Sequence, residues 1–252
     1  MIEKSVIIDN LKVHFYQSDL LDNEKTLVFL HGWGSQAMHL KGVFSQCENF
    51  IAIDLPGFGK SEVPKNAWTT KDYSDFLEKF LEKNKIKKAI FVGHSFGGSV
   101  IIKYCSAHPE VEKIVLIGSA GIRNKNTKIF FYKIGARIFN IFFALPVLKD
   151  LRLKIRKGFY SAIGSEDYIN AGEMAATFQN VINNDLREDM RSVKAKAVLI
   201  WGENDKETPV SDARLMNELL ENSELFVIPE AGHYVFLDNK TEFDKKFFPQ
   251  TS

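Results

Sequence analysis

The segment Lys88–Ser99, KAIFVGHSFGGS, decides the fold of this chain. Its apolar run Ala89–Val92 is short and is typical of a strand that is covered on both faces. The residues that follow the segment are apolar on nearly every side, which predicts a buried helix. Between strand and helix, Gly93-x-Ser95-x-Gly97 matches the nucleophile-elbow pattern, in which a serine occupies the tip of a sharp turn. Glycines flank that serine because residues without a Cβ atom let strand and helix approach closely.

The serine of this turn is a candidate nucleophile. The turn places the peptide N–H after Ser95 at a helix N-terminus, where negative charge is favoured. The alternative is an ordinary glycine-rich turn, since a chance match to GxSxG in a chain of this length is not rare. The strand before the motif and the buried helix after it are the context that the motif requires, so they favour the nucleophile.

Length and composition bound the possible functions. A chain of 252 residues can bury a large core and suits one domain with an insertion. The formal net charge of +1 gives no electrostatic reason to expect nucleic-acid binding. The sequence shows no signal peptide, no membrane span, no cofactor motif and no cluster of metal ligands, and Cys47 and Cys105 do not make a disulfide framework. We therefore expect a cytoplasmic enzyme that needs neither cofactor nor metal.

The order of the predicted elements gives the fold class. A hairpin with its turn at Asp9-Asn10 precedes strands that alternate with helices, which is typical of an α/β fold with a mostly parallel sheet and helices on both faces. From about residue 121 to 193 the alternation stops and only helical patterns occur. We therefore predict an α/β core formed by residues 1–120 and 194–252, with a helical cap inserted at 121–193.

A nucleophilic serine needs a general base, and the base needs an acid that orients it. The histidines that follow Ser95 are His108 and His233. His108 ends the helix that begins at Ser95, about 20 Å away at 1.5 Å per residue, so it is out of reach. His233 follows the last predicted strand, at the edge of the sheet where the elbow opens, and is the candidate base. The alternative for His233 is a solvated loop histidine.

The orienting acid should follow a neighbouring strand at the same edge of the sheet. Glu203 and Asp205 both follow the strand that ends near Trp201. We predict Asp205 as the acid, with Glu203 as the alternative, and we favour Asp238 less because it follows His233 closely. The remaining interpretation is that both candidates are ordinary turn carboxylates.

Five motifs in this order resemble the α/β-hydrolase superfamily. They are the loop His31–Gly34, the segment Asp54–Ser61, the elbow Gly93–Gly98, Asp205 after its strand and His233 near the end of the chain. The resemblance covers roughly residues 20–120 and 195–248. It implies an eight-stranded, mostly parallel sheet with a helical cap after the sixth strand. It also implies an oxyanion hole formed by the backbone N–H groups of Trp33 and Phe96, with His31 bracing its loop.

The resemblance also narrows the range of reactions that we expect. Epoxide hydrolases and haloalkane dehalogenases of this fold use an aspartate nucleophile, whereas this chain has Ser95. C–C bond hydrolases usually carry a Gly-Pro-Gly-type loop where this chain has WGSQ at 33–36. The segments His31–Gly34 and Asp54–Gly59 look most like small carboxylesterases, the group that includes pimeloyl-acyl-carrier-protein methyl ester esterase. We expect a serine hydrolase acting on a small-molecule ester. The alternatives are C–C bond hydrolysis of vinylogous diketones and a ligand-binding protein without catalysis.

The predicted cap has an unusual composition. Its segment 128–143 is apolar around most of a helical surface, so something must cover it. Between Arg123 and Lys157, ten Lys or Arg residues stand against one acidic residue, Asp150. The simplest interpretation is that the aromatic residues seat the cap on the core below a solvated basic rim. The functional alternative is an apolar acyl pocket below a basic surface that contacts an anionic lipid interface or an acidic carrier protein. The oligomeric state has no signal in the sequence.

Overall fold

A computed structural model describes residues 1–23, 25–123 and 172–251 of the chain. In these ranges eight strands form one sheet with the order β1-β2-β4-β3-β5-β6-β7-β8. The strands are β1 (Ile2–Ile8), β2 (Leu11–Gln17), β3 (Thr26–Leu30), β4 (Phe50–Ile53), β5 (Ala89–His94), β6 (Lys113–Ile117), β7 (Lys196–Gly202) and β8 (Ser223–Ile228). The pairs β1–β2 and β2–β4 are antiparallel, and the other neighbours are parallel. The predicted α/β class and mostly parallel eight-stranded sheet are confirmed.

The N-terminal hairpin forms where the sequence predicts it. Asp9 and Asn10 connect β1 to β2 with φ values of 49° and 63°. A two-residue turn with both φ angles positive matches the right-handed twist of the flanking strands, and Asn and Asp tolerate this conformation. The turn therefore sets the register in which Ile8 pairs with Leu11.

Helices fill the connections between the parallel strands. The helices among the described residues are α1 (Lys41–Phe44), α2 (Thr70–Lys83), α3 (Phe96–Cys105), α4 (Ala175–Ile182), α5 (Arg187–Ser192), α6 (Val210–Leu219), α7 (Val235–Asp238) and α8 (Lys240–Phe247). The spacing of Thr69 and Asp72 predicts a capping box at the start of α2. The structure has it: the Thr69 side chain accepts from Asp72 N–H, and the Asp72 carboxylate accepts from Thr69 N–H.

The core lies in two apolar layers, one on each face of the sheet. One layer packs α2, α3 and α6 against the strands through fully buried residues such as Tyr73 and Phe80. The other layer includes Phe44, Phe243 and Phe247 from α1 and α8. Burial of a side chain of this size contributes about 1.5–3 kcal/mol, so both faces anchor the central strands firmly. These strands in turn fix the positions of the loops at their carboxyl ends.

The described part of the predicted cap is helical and docks on the core. It comprises a 3-10 turn at Gly172–Met174 followed by α4 and α5. Met174 and Phe178 are buried, and Trp68 N–H donates to Thr177 Oγ1 at 3.0 Å, which ties α4 to the segment before α2. The aromatic segment 128–143, and with it the predicted contact with lipid or carrier protein, lies outside the described residues. No helix in the described ranges is long and apolar enough to cross a membrane.

Candidate active site

Ser95 lies at the tip of the turn between β5 and α3. Its backbone has φ 50° and ψ −115°, a positive-φ conformation that residues with side chains rarely adopt. The neighbouring strand β6 and the residues just after it bind both backbone polar groups of Ser95. The N–H of Ser95 donates to the Ile117 carbonyl at 3.0 Å, and the Ser95 carbonyl accepts from Ala120 N–H at 3.0 Å. The end of β6 therefore stabilises the strained conformation of the serine.

Glycines let the elbow pack against its neighbours at very short distances. A Cβ atom on Gly97 would lie 2.3 Å from the carbonyl oxygen of Leu30. A Cβ atom on Gly98 would lie 2.1 Å from Ser119 Oγ, and one on Gly93 would lie 2.6 Å from the Gly98 nitrogen. All three distances are shorter than van der Waals contact. For Gly93 and Gly97, the motif glycines on either side of Ser95, the prediction that they serve close approach is confirmed.

Asp205 and His233 form a buried pair at the carboxyl edge of the sheet. His233 Nδ1 lies 2.9 Å from Asp205 Oδ2, and the two side chains are 5% and 0% exposed. The other carboxylate oxygen accepts from the N–H groups of Glu207 and Thr208, each at 2.9 Å. This network assigns the proton to His233 Nδ1, because a carboxylate can only accept. Nε2 is then the nitrogen that can take up a proton.

The environment keeps the Asp205 carboxyl ionised. Burial raises the pKa of Asp205, but the hydrogen bond and the charge of His233, together with the hydrogen bonds from Thr208, outweigh burial and leave the pKa below its usual value. The Thr208 hydroxyl lies 2.9 Å from Asp205 Oδ2 and 3.3 Å from His233 Nδ1, so it supports both members of the pair. A negative Asp205 can stabilise a positive charge on the ring of His233.

His233 Nε2 faces a second carboxylate. Its distance to Glu207 Oε2 is 3.3 Å. Within the described ranges, no hydrogen bond joins this nitrogen to Ser95 Oγ. In many hydrolases such a bond shortens only when substrate is bound, so its absence is compatible with a catalytic role.

His94 ties the elbow to the loop that carries His233. Its Nε2 donates to the backbone carbonyl of His233 at 3.0 Å, and the centroids of the two rings are 4.7 Å apart. Burial, together with the nearby ring of His233, lowers the pKa of His94 to about 3. The hydrogen bond to the His233 carbonyl raises this pKa, but by less than burial lowers it. His94 is therefore neutral. Because it directly precedes Ser95 in the chain, it places the His233 loop beside the serine.

The loop after β3 lies directly against the elbow. A Cβ atom on Gly32 would lie 3.2 Å from Ser95 Cβ, so only glycine fits here without displacing a neighbour. His31 braces this loop, as the sequence predicts: its Nδ1 donates to the Gly32 carbonyl at 2.7 Å, and its Nε2 accepts from Leu55 N–H at 3.0 Å. Burial lowers the pKa of His31 to about 4, although the hydrogen bond to the Gly32 carbonyl acts to raise this pKa. The ring is therefore neutral. Trp33 follows Gly32 in this loop and lines the cavity beside Ser95.

A cavity of about 290 Å³ opens beside Ser95. Its lining combines apolar side chains of the core and of α4 with a few polar groups. The lining residues are Trp33, Thr70, Ser95, Phe96, Ser99, Ala120, Gly121, Ile122, Phe178, Val181, Ile182, Asn184, Leu186, Glu207, Thr208 and Asp212. Ser95 and both residues predicted to form the oxyanion hole thus share one cavity.

The alternative acids lie elsewhere. Glu203 Oε2 accepts from Glu230 N–H at 3.3 Å, and Asp238 Oδ2 accepts from Gly232 N–H at 2.8 Å. Each carboxylate stabilises a backbone turn, whereas Asp205 contacts the His233 ring. Among the described residues, no group of three or more His, Cys, Asp or Glu side chains is arranged to hold a metal ion.

Comparison with known proteins identifies the family. A model described as Alpha/beta hydrolase family matches residues 27–245. The chain belongs to the alpha/beta hydrolase family. This α/β hydrolase is 26% identical to an uncharacterised hydrolase, YugF, of Bacillus subtilis, over 90% of each chain. It is 24% identical to a 2-hydroxy-6-oxononadienedioate/2-hydroxy-6-oxononatrienedioate hydrolase of Paraburkholderia phymatum, over 93% of this chain and 89% of the relative.

Solved structures share the fold of this α/β hydrolase. An esterase from Exiguobacterium antarcticum has a TM-score of 0.74 and 20% identity, with 99% of both chains covered. A meta-cleavage product hydrolase from Pseudomonas fluorescens has a TM-score of 0.68 and 20% identity, with 96% of this chain and 94% of that chain covered. At these identities the likeness concerns the fold, which is common to cleavage of ester bonds and of C–C bonds.

Proposed function

We propose that this α/β hydrolase is a serine hydrolase that cleaves carboxylic esters. Ser95 is the proposed nucleophile, His233 the general base and Asp205 the acid that orients the base. The observation that carries the proposal is the buried Asp205–His233 pair, which lies beside a serine in a strained turn. A serine at an elbow, followed in the chain by a carboxylate and then by an imidazole, is the combination that activates a serine in this fold.

The proposed reaction proceeds in two halves. Ser95 Oγ attacks the ester carbonyl while its proton passes to His233 Nε2. The C–O bond to the alcohol then breaks, and His233 returns the proton to the departing oxygen. In the second half, His233 removes a proton from water, which attacks the acyl-enzyme and releases the carboxylic acid and Ser95. Asp205 fixes the proton on Nδ1 and stabilises the positive ring in both halves.

The oxyanion of each tetrahedral intermediate would be held by backbone N–H groups. We assign this role to Trp33, on the loop that contacts Ser95 Cβ, and to Phe96, the first residue of α3. The position of Phe96 at a helix N-terminus adds the favourable end of the helix dipole. Loss of one such donor typically costs about 3 kcal/mol of transition-state stabilisation.

The cavity supports an apolar acyl group. Phe178, Val181 and Ile182 of α4 and Leu186 of the next loop line the same cavity as Ser95 and make part of its wall apolar. An acyl chain placed against this wall is removed from water, which contributes about 0.8 kcal/mol per buried methylene group. We therefore expect kcat/KM to rise with acyl length until the cavity is full.

Cleavage of a C–C bond is the second candidate. It is favoured by the relative from Paraburkholderia phymatum and by the meta-cleavage product hydrolase of similar structure. Such a reaction bleaches the chromophore of a vinylogous diketone, whereas an esterase leaves it coloured. Turnover of the diketone with little turnover of esters would select this candidate.

Hydrolysis of p-nitrophenyl esters from acetate to palmitate tests the esterase proposal. We expect turnover by the wild type and its loss in Ser95→Ala, with a chain-length optimum that reports the size of the cavity. A fluorophosphonate probe should label the wild type and leave Ser95→Ala unlabelled. If the wild type neither hydrolyses any of these esters above Ser95→Ala nor reacts with the probe, the proposal is wrong. The ligand-binding alternative would then be favoured.

A further inference from the structure

The carboxylate of Asp205 is surrounded by hydrogen-bond partners, and one residue supplies several of them. Oδ1 accepts from the backbone N–H groups of Glu207 and Thr208, each at 2.9 Å. Oδ2 accepts from the Thr208 hydroxyl and lies at the same distance, 2.9 Å, from His233 Nδ1. A carboxylate offers about four acceptor positions, so this one is fully occupied. Thr208 fills one position on each oxygen, and the second position on Oδ2 is left for the ring of His233.

The hydroxyl of Thr208 lies where three polar groups meet. Besides Asp205 Oδ2, it has the carbonyl oxygen of Gly118 at 3.0 Å and His233 Nδ1 at 3.3 Å. A hydroxyl has a single proton to donate, and a charged acceptor makes the stronger hydrogen bond, so the carboxylate is the favoured partner. Thr208 is 8% exposed. Loss of its hydroxyl would therefore leave a charged oxygen with an empty acceptor position inside the protein, which is costly.

Gly118 closes the other side of this pair. It follows β6 with a φ of 48°, and a Cβ atom on it would lie 3.3 Å from Asp205 Oδ2 and equally close to His233 Nδ1. The backbone of Gly118 thus packs against the hydrogen bond that joins the two side chains. Its own position is fixed by β7, since its N–H donates to the Ile200 carbonyl at 3.0 Å. The pair is held between the backbone of Gly118 and the hydroxyl of Thr208.

The turn that contains Gly118 also holds the nucleophile. The Ile117 carbonyl accepts from Ser95 N–H, and Ala120 N–H donates to the Ser95 carbonyl, both at 3.0 Å. Gly118 lies between these two contacts in the chain. The turn at residues 117–120 therefore contacts the backbone of the serine directly and the acid–base pair through Gly118.

We propose that Thr208 is a positioning residue of the hydrolytic reaction: its hydroxyl joins Asp205 to Gly118 and thereby holds the ring of His233 toward Ser95. This inference rests on the proposed function of the same three residues. The bond from Nδ1 to the carboxylate sets the direction of Nε2, which takes the serine proton. A carboxylate that loses a partner is free to turn, and the ring turns with it. Thr208 acts through Asp205, so its loss should lower kcat and leave KM nearly unchanged.

Two substitutions separate the hydroxyl of Thr208 from its methyl group. Thr208→Val keeps the shape and removes the hydroxyl, whereas Thr208→Ser keeps the hydroxyl and removes the methyl group. We would measure kcat and KM for p-nitrophenyl butyrate and the rate at which a fluorophosphonate labels Ser95. Thr208→Val should lower kcat and the labelling rate about 10- to 100-fold, the effect of losing a hydrogen bond to a charged group. Thr208→Ser should retain most of both rates.

A second background and a control distinguish positioning from a general effect on the fold. In a chain that already carries Asp205→Asn, the carboxylate that Thr208 holds is absent, so Thr208→Val should change the labelling rate less than about twofold. Thr26→Val is the matched control. It removes a buried hydroxyl that donates to the Asp22 carbonyl at 2.6 Å, at the amino end of β3 and away from the site. It should lower stability and leave kcat as in the wild type.

Four results would overturn the role of Thr208. They are a wild-type kcat in Thr208→Val, an equal loss of rate in Thr208→Ser, a raised KM at unchanged kcat, and the same loss of labelling rate with or without Asp205→Asn. Failure of the esterase proposal is a separate outcome. If the wild type hydrolyses no ester above Ser95→Ala but still reacts with the probe, ester cleavage is wrong, and the labelling rates of the variants still decide the role of Thr208. If the wild type does neither, both proposals are wrong.

Discussion

Replacement of His94 by glutamine should reduce the sensitivity of the fold to acid. His94 is 3% exposed, and burial, helped by the ring of His233, lowers its pKa from 6.5 to about 3. The unfolded chain binds a proton at this position as the pH falls through 6.5, whereas the native state stays neutral until about pH 3. The contribution of His94 to stability is therefore complete above pH 6.5 and is lost progressively between pH 6.5 and pH 3.

The magnitude follows from the same two values. An imidazole with a pKa of 6.5 gains about 2 kcal/mol from proton binding between pH 7 and pH 5, and this gain goes to the unfolded chain alone. The free energy of unfolding of the wild type should fall by about 2 kcal/mol over this interval on account of His94. His31, whose pKa burial lowers to about 4, should add a decrease of similar size.

Urea denaturation at pH 7 and pH 5, followed by circular dichroism, measures the effect. We expect the free energy of unfolding to fall about 2 kcal/mol less in His94→Gln than in the wild type. His39→Gln is the control, because His39 is exposed and its ring remains in water in both states. An identical pH dependence of wild type and His94→Gln would show that His94 is not held neutral inside the fold, and would refute the reasoning.

Three further substitutions test the site. Gly98→Ala places a Cβ atom 2.1 Å from Ser119 Oγ, so it should lower stability by about 1–3 kcal/mol in thermal unfolding. A second substitution, Ser119→Gly, should restore part of this loss. Thr70→Val should raise stability by about 1 kcal/mol because it removes a buried hydroxyl that has no partner among the described residues. Thr177→Val should lower stability, because it removes the acceptor of the 3.0 Å hydrogen bond from Trp68 N–H. Asp205→Asn should reduce kcat about 10⁴-fold with little change in stability, since the amide favours the wrong tautomer of the imidazole. An Asp205→Asn variant with near wild-type kcat would exclude Asp205 as the orienting acid.

Much of the fold could be predicted because its signals are local. The turn at Asp9-Asn10 gives the predicted hairpin, and the elbow segment gives the predicted strand and buried helix. Boundaries are harder to predict: β5 ends at His94, two residues after the apolar run Ala89–Val92 that predicts it. Termini of helices depend on a few backbone hydrogen bonds that periodicity does not encode.

The elbow and the Asp205–His233 pair could also be predicted, but for a different reason. Each of Ser95, Asp205 and His233 follows a strand of a parallel sheet, and the carboxyl ends of such strands meet at one edge. The sequence left Glu203 open as the acid, since both carboxylates follow β7. The structure distinguishes them by the direction of their side chains, because Asp205 Oδ2 lies 2.9 Å from His233 and Glu203 accepts from a backbone N–H.

The contacts that sequence reasoning missed join segments that are far apart in the chain. His94 was a variable position of the motif, and its partner is a backbone carbonyl 139 residues away. Thr70 was a helix residue next to a capping box, and nothing local indicates that its hydroxyl lacks a partner. Glu207 lies two positions after Asp205, and nothing local indicates that its Oε2 lies 3.3 Å from His233 Nε2. In each case the function depends on what another segment places opposite the side chain.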